Sequence, residues 1–406
     1  GIPADPLFRS SIMINIRSYG AVGDGVADDT EAIQKAVDDA EARSIHSIFI
    51  PEGTYLLTDE ILIKSYISIF GTPHSILKAG TGAVSSLIKY DFSSYESQSI
   101  VIKYIQLDGS NIAANGILME KTSGSPYLRN CAFMGIYEHD FTSYGFKFAC
   151  AQDSALYASG FYNCVFDSGL SLNKFGDTVT INGCSFGRKS DNEFVQYTNA
   201  STFAFSNNNV TGYCNFSLQL PSAFTNDIFE LQVEPTKDFI TIGHAVGNLV
   251  MTNCCFSNQH GIADPSTIKL LKLTDYYLEF INCIFTANNA PACYAPVNSL
   301  TCRFYGCTIS SGISNKDTVL ANFNHRLFDV CSGTYGTVEG FDTLNTNEIN
   351  ARTGVLLNNY IRIEAVNTLP ATPKNNTLYI LRSERRLCLS LTGGVVYETA
   401  AMTVRS

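Results

Sequence analysis

Tryptophan is absent from this chain, and charge is scarce: Asp, Glu, Lys and Arg make up 16% of its 406 residues. With no Trp, any aromatic surface for a ligand ring falls to the 21 tyrosines. Little charge beside 45% hydrophobic residues suits an architecture that turns much side-chain area inward. No apolar run approaches the ~18 residues of a membrane span, so no membrane insertion is expected. The opening Gly1-Ile2-Pro3 has neither the basic stretch nor the apolar region of a secretion signal. It also lacks an initiator methionine, and a further segment upstream is expected. Basic residues are outnumbered 27 to 37, for a net charge of −10, which argues against a nucleic-acid partner held through its phosphates.

The 13 cysteines include no C-x-x-C pair and no Cys/His cluster with zinc spacing. Most fall inside apolar, strand-like runs. They read as small buried hydrophobes of a chain folded in a reducing compartment. No metal site and no cofactor are expected.

What is present is a repeat. Asn130-Cys131-Ala132-Phe133 recurs as Asn163-Cys164-Val165-Phe166, Asn182-Gly183-Cys184-Ser185-Phe186, Asn253-Cys254-Cys255-Phe256 and Asn282-Cys283-Ile284-Phe285. Weaker copies are Asn208-Asn209-Val210 and Gly306-Cys307-Thr308-Ile309. The spacings fall in the solenoid range of roughly 20–50 residues. Cys and Phe stand two apart and so face one side of a strand. Asn accepts a left-handed turn and can hydrogen-bond to copies of itself above and below. Five similar copies cannot all be nucleophiles, so the cysteines are filling. The fold expected is all-β: a right-handed parallel β-helix.

At the N-terminus, Gly20, Gly23 and Gly25 form a permissive loop before Asp28 and Asp29. Ala32, Ile33, Ala36 and Val37 then mark one face of a helix, whose free N–H groups the two acids can accept. Short strands follow, joined at Pro51-Glu52-Gly53. This opening resembles the N-terminal part of the pectate-lyase-like superfamily, and phage tailspikes in particular. The residues that carry the resemblance are Tyr19-Gly20-Ala21, Gly23-Asp24-Gly25, Asp28-Asp29-Thr30, Ala32-Ile33-Gln34 and Ile50-Pro51-Glu52-Gly53-Thr54-Tyr55. The resemblance covers roughly the first 75 residues. It implies a helix that caps the open end of the β-helix, but it does not fix the reaction. Three regions are expected: a cap with the first rungs over 1–75, the β-helix over 76–320, and a C-terminal β module over 321–406. The last carries short alternating strands and a hairpin turn at Thr392-Gly393-Gly394. The resemblance further implies a homotrimer on a virion tail, joined to it by the upstream segment and acting on a bacterial surface polysaccharide.

Hydrolysis of a polysaccharide needs two carboxyl groups roughly 5–9.5 Å apart, and outward acids on stacked rungs can supply them. In Asp227-Ile228-Phe229-Glu230-Leu231-Gln232-Val233-Glu234, Phe229, Leu231 and Val233 alternate inward. Asp227, Glu230 and Glu234 are therefore first candidates for catalysis, with Gln232 in substrate binding. Asp191 and Glu193 are further catalytic candidates. Tyr137, Glu138, Asp140, Asp167 and Tyr197 are candidates for binding saccharide. Hydrolysis is preferred over elimination because carboxylates abound and no Lys/Arg-rich or calcium-type acidic cluster stands out. A non-catalytic receptor-binding spike and a polysaccharide lyase are the alternatives.

Overall fold

The computed structural model describes residues 13–82, 85–92, 99–121, 127–150, 155–173, 178–187, 193–200, 203–218, 222–231, 237–243, 248–258, 271–273, 277–287, 300–309, 323–329, 332–333, 343–345, 355–357, 361–366, 377–381, 386–390 and 396–398. Three long parallel sheets of 14, 13 and 9 strands make up most of the described chain. From Ser47 to Leu273 the strands of these sheets pass through the first, second and third in turn. The rung Ser159–Tyr162, Val165–Phe166, Leu170–Asn173 is typical. Every neighbouring pair in the three sheets is parallel and comes from successive rungs, so the chain is a parallel β-helix.

The sharp corner between the first and second sheets is made by one left-handed residue. Going up the solenoid these are Tyr104, Gly135, Asn163, Gly183, Asn207, Asn226, Asn253, Asn282 and Gly306.

 All nine of these φ angles fall between 52° and 67°. Asn and Gly occupy that region at least cost. From Asn207 to Asn226 the rung takes 19 residues, and from Tyr104 to Gly135 it takes 31, so the corner is constant while the loops vary. Where three asparagines stack, their side chains bond in series: Asn226 Nδ2 donates to Asn207 Oδ1 at 3.2 Å, and Asn253 Nδ2 donates to Asn226 Oδ1 at 3.1 Å.

The residue after each corner points inward: Ile105, Ile136, Cys164, Cys184, Asn208, Asp227, Cys254, Cys283 and Cys307. The thiols donate to carbonyl oxygens, as from Cys164 Sγ to Phe133 O at 3.4 Å and from Cys283 Sγ to Met251 O at 3.3 Å. The eight cysteines whose side chains are described form no disulfide, and all but the half-buried Cys255 are buried. Beyond the corner come the stacked rings: Phe166 on Phe186 (5.4 Å), Phe229 on Phe256 (5.2 Å) and Phe256 on Phe285 (5.0 Å). Each fully buried Phe contributes about 1.5–3 kcal/mol through apolar burial.

One copy of the repeat sits elsewhere. Asn130-Cys131 precedes the first sheet, and its Phe133 pairs with Phe161, whereas Phe166 of the next copy lies in the second sheet opposite Glu138. The 33-residue spacing from Cys131 to Cys164 is therefore not a rung. The same four-residue pattern serves both corners because each needs a left-handed residue followed by an inward strand.

The helix Thr30–Ala42 buries Ile33, Ala36, Val37 and Ala40. Gln34 pins it to the first rungs: its Oε1 accepts the Leu62 N–H at 2.8 Å and its Nε2 donates to Leu62 O at 3.0 Å. The two acids divide the work. Asp28 accepts the Thr30 N–H at 3.0 Å, while buried Asp29 accepts Val22 N at 2.6 Å and Gly23 N at 3.1 Å. At the other end, the first sheet continues to Thr343–Asn345. The rungs thus extend past the boundary expected at residue 320, because later rungs keep the strand register without the Cys-x-Phe signature. A five-stranded sheet follows, from Val355–Leu357 to Val396–Glu398. Its pairs are antiparallel except for Ile361–Val366 with Thr377–Leu381. The hairpin residues Thr392-Gly393-Gly394 lie outside the described residues.

Candidate functional site

The second sheet brings the site together. Its inward register runs through Leu77, Leu107, Glu138, Phe166, Phe186, Val210, Phe229, Phe256 and Phe285. Successive side chains on a strand alternate faces, so the residue after each of these faces out. The outward row reads Lys78, Asp108, His139, Asp167, Gly187, Thr211, Glu230, Ser257. Backbone bonds carry the register past the short strands: Asp167 N donates to Glu138 O at 3.2 Å, and Gly187 N donates to Phe166 O at 2.9 Å.

The first four members of the row form a continuous stretch of titratable side chains. Lys78 Nζ lies 3.3 Å from Asp108 Oδ2. His139 Nδ1 lies 3.9 Å from Asp108 Oδ1 and 2.8 Å from Asp140 Oδ2. The ring of Tyr137, on the parallel outward row, stands 5.1 Å from the His139 ring. Its hydroxyl and the Asp167 carboxyl influence each other: Asp167 helps to raise the tyrosine, and Tyr137 acts to lower the carboxyl. Tyr137 is exposed, which leaves a ring face open to a ligand.

The two aspartates flanking His139 are driven apart electrostatically. Burial pushes Asp108 up, but the N–H and hydroxyl of Ser110, together with His139 and Lys78, outweigh it and hold the carboxyl below its ordinary value. Burial also pushes Asp167 up, and there His139 and Tyr137 do not outweigh it, so Asp167 stays above its ordinary value. Opposed shifts in neighbouring carboxyl groups separate a proton holder from an anion. Ligand atoms of Asp108, His139 and Asp140 also lie within 4.8 Å of one another, and these three could hold a cation.

Several expected site residues fall elsewhere. Glu138 faces inward and is 0% exposed. It cannot touch saccharide, because in Tyr137-Glu138-His139 the outward positions belong to its neighbours. Asp227 is also 0% exposed. It stands at the inward corner position and accepts from Asn208 N (2.8 Å), Asn208 Nδ2 (3.0 Å) and Thr225 N (3.0 Å). Glu230 does face out, half-buried, but three rungs beyond Asp167, a separation of about 14 Å. Glu193 and Tyr197 belong to the third sheet, on the strand Glu193–Ala200, and their side chains are outside the described residues. Asp191, Gln232 and Glu234 lie outside the described residues. Asp140 and Asp167 are in the cluster, beside Tyr137. Lys78 and Asp108 were not singled out from the sequence. Aligning the corner residues Tyr104, Gly135 and Asn163 would have placed Asp108 in one row with His139 and Asp167, since each of these three lies four residues past its corner.

Residues 13–98 match a family model described as rhamnogalacturonase A/epimerase, pectate lyase-like. The chain is similar to that pectate-lyase-like family over this N-terminal segment. Among curated relatives, the plasmin and fibronectin-binding protein A of Streptococcus pneumoniae is 44% identical over 55 residues, covering 13% of this chain and 8% of that protein. A glucan 1,3-beta-glucosidase of Cochliobolus carbonum is 31% identical over 97 residues, covering 21% of this chain and 12% of that protein. The chain thus spans about a tenth of the length of these relatives. Among solved structures, the A-module of the Azotobacter vinelandii mannuronan C-5 epimerase AlgE4 superposes with a TM-score of 0.52 at 14% identity, covering 82% of this chain and all of that one. At that identity the likeness is one of fold.

Proposed function

We propose that this pectate-lyase-like chain is a depolymerase of the phage-tailspike kind, cleaving a bacterial surface polysaccharide by glycoside hydrolysis. The observation that carries the reading is the Asp108–Asp167 pair with its opposed shifts. Asp167, held above its ordinary value, is the general acid. Asp108, held anionic by Lys78, Ser110 and His139, is the base that activates water. Residues two rungs apart stand roughly 9–10 Å apart along the helix axis. That is the upper end of the carboxyl separation for inversion, which leaves room for a water. Tyr137 offers a ring face for the sugar. The local match to a glucan 1,3-beta-glucosidase supports the substrate class. A homotrimer and a place on a virion tail complete the proposal, both resting on the resemblance of the N-terminal segment.

Lys78 and His139 in one row also favour a second reading, elimination, in which a cation neutralises an acidic sugar and a base removes its proton. Purified capsular polysaccharides and O-antigens, incubated with the protein, decide between them. New reducing ends without ultraviolet absorbance support hydrolysis. Absorbance of an unsaturated uronic acid supports elimination. Binding with no fragments would overturn both and leave a receptor-binding spike.

A further inference from the structure

Glu138 occupies a place where the rungs on either side put Leu107 and Phe166. Burying a carboxyl group in such a column is costly unless it makes bonds that nothing apolar could make. Its Oε1 accepts two backbone N–H groups of the next rung, Ser168 N at 2.7 Å and Gly169 N at 2.9 Å. Ser168 is itself buried, and its Oγ accepts the Phe141 N–H at 2.9 Å. Ser168 directly follows Asp167, and Phe141 directly follows Asp140, a left-handed residue at φ 59°. One carboxyl group therefore holds the turn behind one site acid directly, and the turn behind the other through Ser168.

The space for it is also built. Oε2 has no hydrogen-bond partner and lies against Gly145, where a Cβ would stand 2.2 Å from Oε2 and 1.8 Å from Cδ. Any larger residue at 145 would evict the carboxyl group. We infer that Glu138 is a positioning residue, a buried bracket that fixes the turns carrying Asp167 and Asp140 and so sets their reach toward Asp108 and His139. Its catalytic consequence rests on the function proposed above, whereas the bracket itself does not.

Burial pushes the Glu138 carboxyl up to about 8, so it is protonated at neutral pH and glutamine is a close mimic. Crystal structures of the wild type, Glu138→Gln and Glu138→Ala, with kinetics on whichever polysaccharide the wild type fragments, test the inference. Glu138→Gln is expected to keep the Asp167 carboxyl within about 0.5 Å and kcat within about threefold. Glu138→Ala is expected to move the 167–169 turn by about 1 Å and lower kcat about 100-fold, with KM little changed. If Glu138→Ala does not fold, Gly145→Ala is expected to displace the same turn. An unmoved Asp167 in the alanine variants would overturn the bracket. A moved Asp167 with unchanged kcat would overturn its role in positioning. A wild type that fragments no polysaccharide would sink the proposed function alone, because the displacement still decides the bracket.

Discussion

The Asp167 carboxylate lies along the outward row over Gly187, with Oδ1 2.2 Å from where a Cβ at 187 would stand. Gly187 is the next member of that row. Its missing side chain is what lets Asp167 lie along the sheet surface. Gly187→Ala must therefore push Asp167 out of place while leaving the core untouched. The expected outcome is a fall in kcat of about 100-fold, the cost of a misplacement near 1 Å, with a melting temperature close to wild type. Unchanged turnover in a folded variant would show that the position of Asp167 is irrelevant.

Asp167→Asn and Asp108→Asn each remove one half of the acid–base pair. Each is expected to cost about 1,000-fold in kcat. The pH profile should be bell-shaped and peak on the acid side. Asp108 is held below its ordinary value, so the lower limb falls only as pH drops through that depressed value. Asp167 is held above its ordinary value, so the upper limb falls as pH rises through that elevated value. Initial rates across pH 3 to 8 check this; a profile that keeps rising toward alkaline pH points instead to a base with a higher pKa, as elimination needs.

The rungs were legible because their cause is local. A left-handed Asn, an inward Cys and an inward Phe lie within four residues, and Asn163-Cys164-Val165-Phe166 states the corner and the core at once. The site was not legible in the same way. Asp108, His139 and Asp167 come from three rungs of unequal length, and their adjacency exists only after the corners are aligned. Glu230 looked strong because it alternates with Phe229 on one strand, and it does face out. Its partners had to come from neighbouring rungs, which supply Thr211 and Ser257 rather than acids. Glu138 and Asp227 misled for another reason. Acids are expected outside, and both fill positions where the repeat elsewhere puts apolar residues or cysteine.

The asparagine ladder gives a separable stability prediction. Asn226 sits at φ 57° and bonds both Asn207 and Asn253. Asn226→Gly keeps the turn and loses the two exposed side-chain bonds. Asn226→Ala loses the bonds and also strains the backbone, by about 1–2 kcal/mol. The alanine variant should therefore be the less stable of the two by roughly that amount, read from urea midpoints. Equal midpoints would mean that the left-handed corner imposes no residue preference.

Asp227 makes stability depend on pH, with a sign opposite to that of an exposed, ion-paired aspartate. Burial raises its carboxyl from 3.8 to about 8, against the lowering effect of the Asn208 and Thr225 donors. Between those values the folded chain keeps a proton that the unfolded chain has released. The folded state thus binds more protons, and stability falls as pH rises from about 4 to about 8. Below that window both states are protonated and the dependence vanishes; above it both are ionised and the loss is complete. Glu138 is also raised to about 8 by burial and contributes in the same direction. Asp227→Asn should remove part of the slope of unfolding free energy against pH, and pairing it with Glu138→Gln should remove more. Asp227→Ala should instead cost about 2–4 kcal/mol at every pH, because the Asn208 and Thr225 N–H groups lose a buried acceptor. Urea unfolding of the variants at half-unit steps from pH 4 to 9 separates the two effects. A wild type whose stability rises over that range would show that the three donors hold Asp227 ionised in the core.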